Sequence, residues 1–260
     1  MASISWTEDK LLDGRVTVLQ PRRGYRTAID PVLLAAAVPA RSGEHILDLG
    51  SGTGVASLCL AARLPDVHVT GLELQHEFVD LARKSAEHSG LGGRVSFEPG
   101  DILTPPDSVI RLKFDHVMAN PPYMAKGAGF PPPDPQKALA HVEGPAVLAD
   151  WLALAQISIK TGGTVTFIHR ADRQNELMAG FSGGAWHVTV YPLWPKDQER
   201  RAKRVIVHAR HGDGTAPLMA TGFVLHDADG HYTEKANAVL RDCAPIDLQD
   251  LARGEGTSLP

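Results

Sequence analysis

Four consecutive residues, Asn120-Pro121-Pro122-Tyr123, are the stretch of this 260-residue chain best equipped for chemistry. Two prolines in a row fix φ, remove two N–H donors and hold the residue before each extended. The Asn120 side chain and the Pro121 carbonyl are therefore expected to stand as fixed acceptors. Tyr123 adds a flat apolar face with a polar tip. Such a site can accept both hydrogens of a planar amino group and stack on the ring that carries it. The amino nitrogen of adenine, or of a glutamine amide, is a poor nucleophile because its lone pair is delocalised. Two acceptors on its hydrogens return electron density to nitrogen and aim the lone pair. Asn-Pro and Pro-Pro are also common turn formers, so the tetrapeptide alone fits an ordinary strand-end turn as well.

The elements around it narrow the choice. Phe114 to Ala119 is a short apolar run bounded by turn formers, which predicts a buried strand leading into the tetrapeptide. Earlier, Asp13-Gly14 between two apolar runs predicts a hairpin, followed by Arg22, Arg23 and Arg26 clustered around Tyr25. Residues 30–38 predict a helix with Asp30 as N-cap and Pro31 as its first residue. Residues 45–50 predict a strand, and Gly50-Ser51-Gly52-Thr53-Gly54 a loop. Val55, Leu58, Cys59 and Ala62 then fall at helical spacing and stop at Pro65. Further strands are predicted at 67–73, 94–98, 163–169, 185–193 and 204–210, with helices at 75–89, 145–160 and 171–180. This alternation specifies an α/β fold: a doubly wound, mostly parallel, seven-stranded Rossmann-like sheet with helices on both faces. Ligands of such sheets bind at the carboxyl ends of the strands. The glycine loop, Glu73, Asp101 and Asn120 all fall there. Residues 124–144, with Gly127, Gly129 and four prolines at 131–133 and 135, predict a long irregular loop of the kind that often covers an active site.

Composition sets the outer bounds. With 43% hydrophobic and 22% charged residues, the chain is a globular one of one large or two small domains. The formal net charge of −4 does not advertise a nucleic-acid partner, so any basic surface must be local. Cys59 and Cys243 have no neighbours at metal or redox spacing, which suits a reducing cytosol. Met1 to Lys10 has no apolar leader core, and the longest apolar run, Val32 to Val38, is too short to span a bilayer. The run Lys196, Arg200, Arg201, Lys203 and Arg204 reads either as a solvated loop or as an RNA contact. Cys59 reads as a small core residue.

The loop pattern is Asp48-x-Gly50-x-Gly52-x-Gly54, not the Gly-x-Gly-x-x-Gly of dinucleotide folds. Glycines let backbone approach a ligand and open a helix N-terminus towards it. Asp48 would oppose a pyrophosphate and suits a cationic ligand. Glu73 ends the next strand, where it can accept from ribose hydroxyls.

These residues, with Gly100-Asp101 and the Asn-Pro-Pro-Tyr tetrapeptide, resemble the class I S-adenosylmethionine methyltransferases that methylate amino groups, over about residues 25–210. Leu19 to Arg26, Ile29 to Ala35 and His226 to Thr233 are further similar to the bacterial tRNA(Val) adenine-N6 methyltransferase family. The resemblance implies S-adenosylmethionine as cofactor, S-adenosylhomocysteine as product, and RNA, most of all tRNA, as partner. It implies Asp48 near the methionyl amino group, Gly50, Gly52 and Gly54 lining the cofactor, Glu73 on the ribose, and Asp101 on the adenine. It implies Asn120 and the Pro121 carbonyl on the target amine and Tyr123 stacked on the base. Asp30 joins the cofactor set and Tyr25 the substrate set, where a cap and a core aromatic are the plainer readings. Arg22, Arg23 and Arg26 are expected to meet RNA phosphates. No metal is needed, because the sulfonium is already activated and catalysis is mostly positioning. The expected layout is a hairpin extension at 1–24, the methyltransferase domain at 25–210 and a C-terminal extension at 211–260, in a cytoplasmic enzyme without a membrane partner.

Three other readings are set against this one. A protein glutamine-N5 methyltransferase would need a peptide groove and normally an N-terminal helical domain, whereas about 24 residues precede Tyr25. A small-molecule O-methyltransferase would need a base or metal beside a hydroxyl. A non-catalytic cofactor- or RNA-binding module would not need Asn120 and Tyr123 intact.

Overall fold

The computed structural model describes residues 5–23, 26–124, 143–183, 185–196 and 201–249. Its centre is a nine-stranded sheet in the order β10-β8-β9-β7-β6-β3-β4-β5, with β11 also paired to β8. The seven long strands are those the sequence predicts: β3 (His45–Leu49), β4 (His68–Glu73), β5 (Val95–Pro99), β6 (Phe114–Ala119), β7 (Ile159–Arg170), β8 (Trp186–Trp194) and β9 (Arg204–His211). β5, β4, β3, β6 and β7 run parallel, and only β9 runs antiparallel to its neighbours β7 and β8. Two two-residue strands, β10 (Leu218–Met219) and β11 (Phe223–Val224), extend the β8 edge.

Strand side chains alternate between two cores, as the period of two requires. Ile46, Met118, Ile168 and Ile206 enter one apolar cluster with α1 (Asp30–Ala37), α2 (Val55–Arg63) and α3 (His76–His88). Leu47, Val117, Phe167 and Val207 enter the other, with α4 (Asp107–Arg111), α5 (Leu148–Ser158) and α6 (Gln174–Gly180). A last helix, α7 (Glu234–Arg241), buries Ala236 and Val239 in the first cluster. The hairpin β1 (Trp6–Leu11) and β2 (Val16–Pro21) packs against α3, where Ser85 Oγ accepts from Leu19 N–H and Ser89 Oγ from Thr17 N–H, both at 2.9 Å.

Several boundaries differ from the sequence reading. The hairpin turns through four residues, not two, because Leu11 pairs with Val16; Leu12, Asp13 and Gly14 all take positive φ. β7 begins at Ile159 rather than 163 and α5 spans less than 145–160, because β7 takes over pairing to β6 at once and absorbs a bulge around Gly162 and Gly163. α4 and α7 were not expected. Asp30 is not the N-cap of α1: Ile29 is, Asp30 is the first helical residue, and its carboxylate is used elsewhere.

Candidate active site

The carboxyl ends of β3, β4, β5 and β6 surround a cavity lined by Gly50, Gly52, Glu73, Asp101, Asn120 and Trp151, among others. All three loop glycines have positive φ, +64° at Gly50, +56° at Gly52 and +86° at Gly54. A side chain at Gly50 would strike the Trp151 ring at 2.4 Å, and one at Gly54 the Phe97 ring at 2.5 Å. A Cβ at Gly52 would meet nothing within 4 Å, so there the backbone itself is the cavity wall. Glu73, buried, fixes the loop: its Oε2 accepts from Gly52 N–H and its Oε1 from Gln75 N–H, each at 2.9 Å. Burial raises its carboxyl above the usual range. Asp101 turns the chain after β5, accepting from Leu103 N–H at 2.9 Å.

Asp48 lies under the loop rather than on the cavity wall. It is 2% exposed, its Oδ2 accepts from Ser57 Oγ–H at 2.6 Å, and burial pushes its carboxyl up to about 7. Ser51 Oγ, Thr53 Oγ1 and Trp151 Nε1 are buried around the loop without a hydrogen-bond partner among the described residues. Buried polar atoms are normally paired, so these three are donors held in reserve. Acidic carboxyls with spare hydroxyl and N–H donors suit a ligand that carries ammonium, carboxylate and ribose groups.

On the other side of Asn120 lies a second cavity, lined by Arg26, Asp30, Asn120, Tyr123, Arg170 and Arg204, with Ala28, Pro31 and Met124. Among the described residues Asn120 is the one that lines both. The Tyr123 hydroxyl lies 2.5 Å from Asp30 Oδ2 and 2.7 Å from Asn120 Oδ1. Both oxygens are placed to accept its one proton, and the amide oxygen of Asn120 has a second lone pair for an incoming donor. Arg204 Nε donates to Asp30 Oδ2 at 2.9 Å, and its guanidinium lies 4.5 Å from the Tyr123 ring centre.

The tetrapeptide is braced by a histidine the sequence reading passed over. His169, fully buried near the end of β7, meets Tyr123 edge-on at 5.2 Å. Its Nδ1 accepts from Arg170 N–H at 2.9 Å, which puts the ring proton on Nε2, and Nε2–H donates to the Pro122 carbonyl at 3.3 Å. Burial, with help from Arg173, pushes its pKa down to about 4, so it stays neutral and keeps this tautomer near pH 7. The chain on either side of 125–142 is tied by Glu143 N–H to Met124 O at 2.8 Å, and Glu143 is held by Arg173 Nη2 at 2.8 Å in a largely buried ion pair.

The expected site residues therefore divide. Gly50, Gly52, Glu73, Asp101 and Asn120 meet at one cavity. Asp30, expected with the cofactor set, lines the second cavity instead, because Tyr123 and Arg204 claim its carboxylate. Of the three basic residues, Arg26 lines that cavity while pairing with Asp9 at 2.6 Å; Arg22 and Arg23 are exposed at the end of β2 and line neither. Tyr25 and Arg200 lie outside the described residues, as does most of the 124–144 loop. Arg170, a wall of the second cavity, was not singled out at all.

A family model for a methyltransferase domain matches residues 40–169, half of the chain and the whole of the glycine-loop and Asn120 region. The chain belongs to the class I S-adenosylmethionine-dependent methyltransferases. Two relatives bear the same name, tRNA1(Val) (adenine(37)-N6)-methyltransferase. The one from Porphyromonas gingivalis is 30% identical, with 84% of this chain and 88% of the relative covered. The one from Aeromonas hydrophila is 28% identical over 215 residues, with 82% and 88% covered. Among solved structures, a predicted O-methyltransferase from Agrobacterium tumefaciens superposes with a TM-score of 0.68 at 22% identity, over 84% of this chain and 98% of its own; that likeness shows the fold. As a methyltransferase, the protein uses S-adenosylmethionine, which supplies a methyl group activated on a sulfonium. No described helix is long and apolar enough to cross a membrane.

Proposed function

We propose that this methyltransferase acts on N6 of an adenine in tRNA, in the cytoplasm. The observation that carries the reading is the position of Asn120, among the described residues the one wall shared by two cavities, one lined by acids and the other by arginines. The first cavity is walled by Glu73 and Asp101, with no basic side chain among the described residues, which suits a cationic cofactor. The second is walled by Arg26, Arg170 and Arg204, each paired with an acid, of which only Asp30 is among the lining residues described; paired arginines can exchange their acids for an anionic substrate. A methyl group passing between them must pass Asn120. The relatives named as tRNA adenine-N6 methyltransferases support this choice of substrate.

In this reading Glu73 accepts from the ribose hydroxyls and Asp101 from the cofactor adenine, while Asp48, beneath the loop backbone, attracts the methionyl ammonium without touching it. Gly50, Gly52 and Gly54 line the cofactor, with Ser51 and Thr53 as spare donors. Asn120 Oδ1 and the Pro121 carbonyl accept the two N6 hydrogens, and Tyr123 stacks on the base, which must leave its own stack to reach them. The neutral His169 keeps the Pro122 carbonyl occupied and so fixes the loop. A proton leaves the methylated amine to solvent. Three arginines in the second cavity suit a phosphate-bearing substrate better than a neutral glutamine side chain, the main competing target.

The test is label transfer from radioactive cofactor to total tRNA, ribosomal RNA or protein extract. Label in tRNA, as N6-methyladenine, is expected; label only in protein would replace the reading. Asn120→Ala should keep cofactor binding and lose methyl transfer by about 10²-fold or more, because its acceptor acts chiefly in the transition state. Turnover at the wild-type rate would remove the amine clamp.

A further inference from the structure

Arg170 and Arg204 are register partners on the antiparallel β7–β9 ladder. Residues so opposed send their side chains to the same face of the sheet, and like charges directly opposite one another are destabilising. The chain carries this cost at one place on its rim, where β7 ends and β9 begins, beside Asn120 and Tyr123. The two charges are not neutralised by an acid shared between them. Arg170 pairs with Asp172 two residues on, its Nε donating to Oδ1 at 3.0 Å, and Arg204 pairs with Asp30 at 2.9 Å. Both residues line the same cavity, and the Arg204 guanidinium also covers a face of the Tyr123 ring.

Two arginines opposed across one ladder, beside an amine clamp, have the chemistry of a phosphate fork, since each can offer paired N–H donors to one tetrahedral anion. We infer that Arg170 and Arg204 bind the phosphate attached to the nucleotide whose base enters the Asn120–Tyr123 clamp. The inference rests on the reading of the substrate as a nucleic acid and adds where that nucleotide is gripped. Before substrate arrives, Arg204 is held by Asp30 and the aromatic ring. A phosphate placed between the two arginines gives its guanidinium a stronger partner and frees the Tyr123 face for the base. Tyr123 and Arg204 thus exchange partners in one event, so the ring is uncovered only for a base that brings a phosphate with it.

The test uses the full chain saturated with S-adenosylhomocysteine, so that adenosine compounds are read at the substrate cavity alone. Adenosine, 5′-AMP and 3′-AMP are titrated calorimetrically. Wild-type protein should bind one of the two nucleotides at least roughly tenfold more tightly than adenosine, as expected for a charge-assisted phosphate contact. Arg170→Ala and Arg204→Ala should each abolish that preference while leaving S-adenosylhomocysteine affinity unchanged. Arg170 is exposed, so its variant is expected to fold even if the Arg204 variant does not. Equal binding of adenosine and both nucleotides by wild-type protein would overturn the inference, as would a preference that survives Arg170→Ala. This outcome is separable from the substrate reading: a protein that labels tRNA but shows no phosphate preference loses only the fork, and one that prefers AMP but labels another RNA keeps it.

Discussion

Asp48 makes cofactor binding depend on pH in a direction that can be worked out beforehand. Its carboxyl is buried, accepts from Ser57 alone among side chains, and sits at about 7 against an ordinary 3.8, chiefly through desolvation and with a smaller push from Glu73. A folded-state pKa above the unfolded one means that the ligand-free protein holds more protons than the unfolded chain between about pH 4 and 7. Its stability therefore falls as pH rises through that window. The rise corresponds to about 4 kcal/mol at most, less whatever the unfolded chain and local relaxation recover. A cationic ligand above the loop opposes that preference, because its charge favours the ionised form even without contact. From pH 5.5 to 7.5 the ionised fraction climbs from roughly 3% to roughly 75%, so S-adenosylmethionine affinity should rise by up to about 25-fold and then level off. Glu73, raised in the same direction, can only add to the slope. Asp48→Asn should flatten the profile and weaken binding at pH 7.5 while raising the melting temperature of the ligand-free protein there. The assay is calorimetric titration across pH, with thermal melts of both proteins. An affinity that is flat from pH 5.5 to 7.5, or an Asn variant with the wild-type slope, would refute the reasoning.

Three other substitutions probe the frame of the site. Gly50→Ala must place a Cβ in left-handed backbone against Trp151 and should cost about 2–4 kcal/mol in denaturant unfolding, whereas Gly52→Ala meets open space, should cost only about 1–2 kcal/mol, and should instead weaken cofactor binding. His169→Phe leaves the Pro122 carbonyl and the Arg170 N–H without their partner, so stability should drop by about 1–3 kcal/mol per lost bond and the turnover rate should fall with cofactor affinity unchanged; because His169 sits near 4, the wild-type rate should show no histidine titration from it above pH 5.5.

The sequence made the cofactor side of the molecule readable because its signals are local. A glycine loop between a strand and a helix, or two prolines after a strand, state their backbone geometry within a few residues. The seven strands were legible for the same reason, since buried strands are short apolar runs between turn formers. The substrate side depends on pairing between distant segments. Nothing near Arg170 or Arg204 says that residues 34 apart in sequence stand opposite one another; that follows only from the β7–β9 register. Asp30-Pro31 carries the local signature of a helix cap, and only the arrival of Tyr123 and Arg204 shows that its carboxylate serves the second cavity. His169 has no metal or catalytic spacing to betray it, because a neutral histidine that props a loop needs no companion in sequence. Helix α4 is too short for its periodicity to be read. Helix α7 did carry a usable signal in Thr233, whose Oγ1 accepts from Ala236 N–H at 3.2 Å as an N-cap does.

The separation of the two cavities has a consequence for kinetics. In the proposed reading cofactor and substrate meet at Asn120, and the two cavities share no other wall among the described residues. Neither occupant has to pass through the other's chamber to enter or leave. The enzyme should therefore show random rather than compulsory order of addition. Demethylated cofactor should compete with S-adenosylmethionine, and methylated product with unmethylated substrate, each noncompetitively towards the other. The methylated product should then be able to depart while spent cofactor is still in place, so product release is not tied to cofactor exchange.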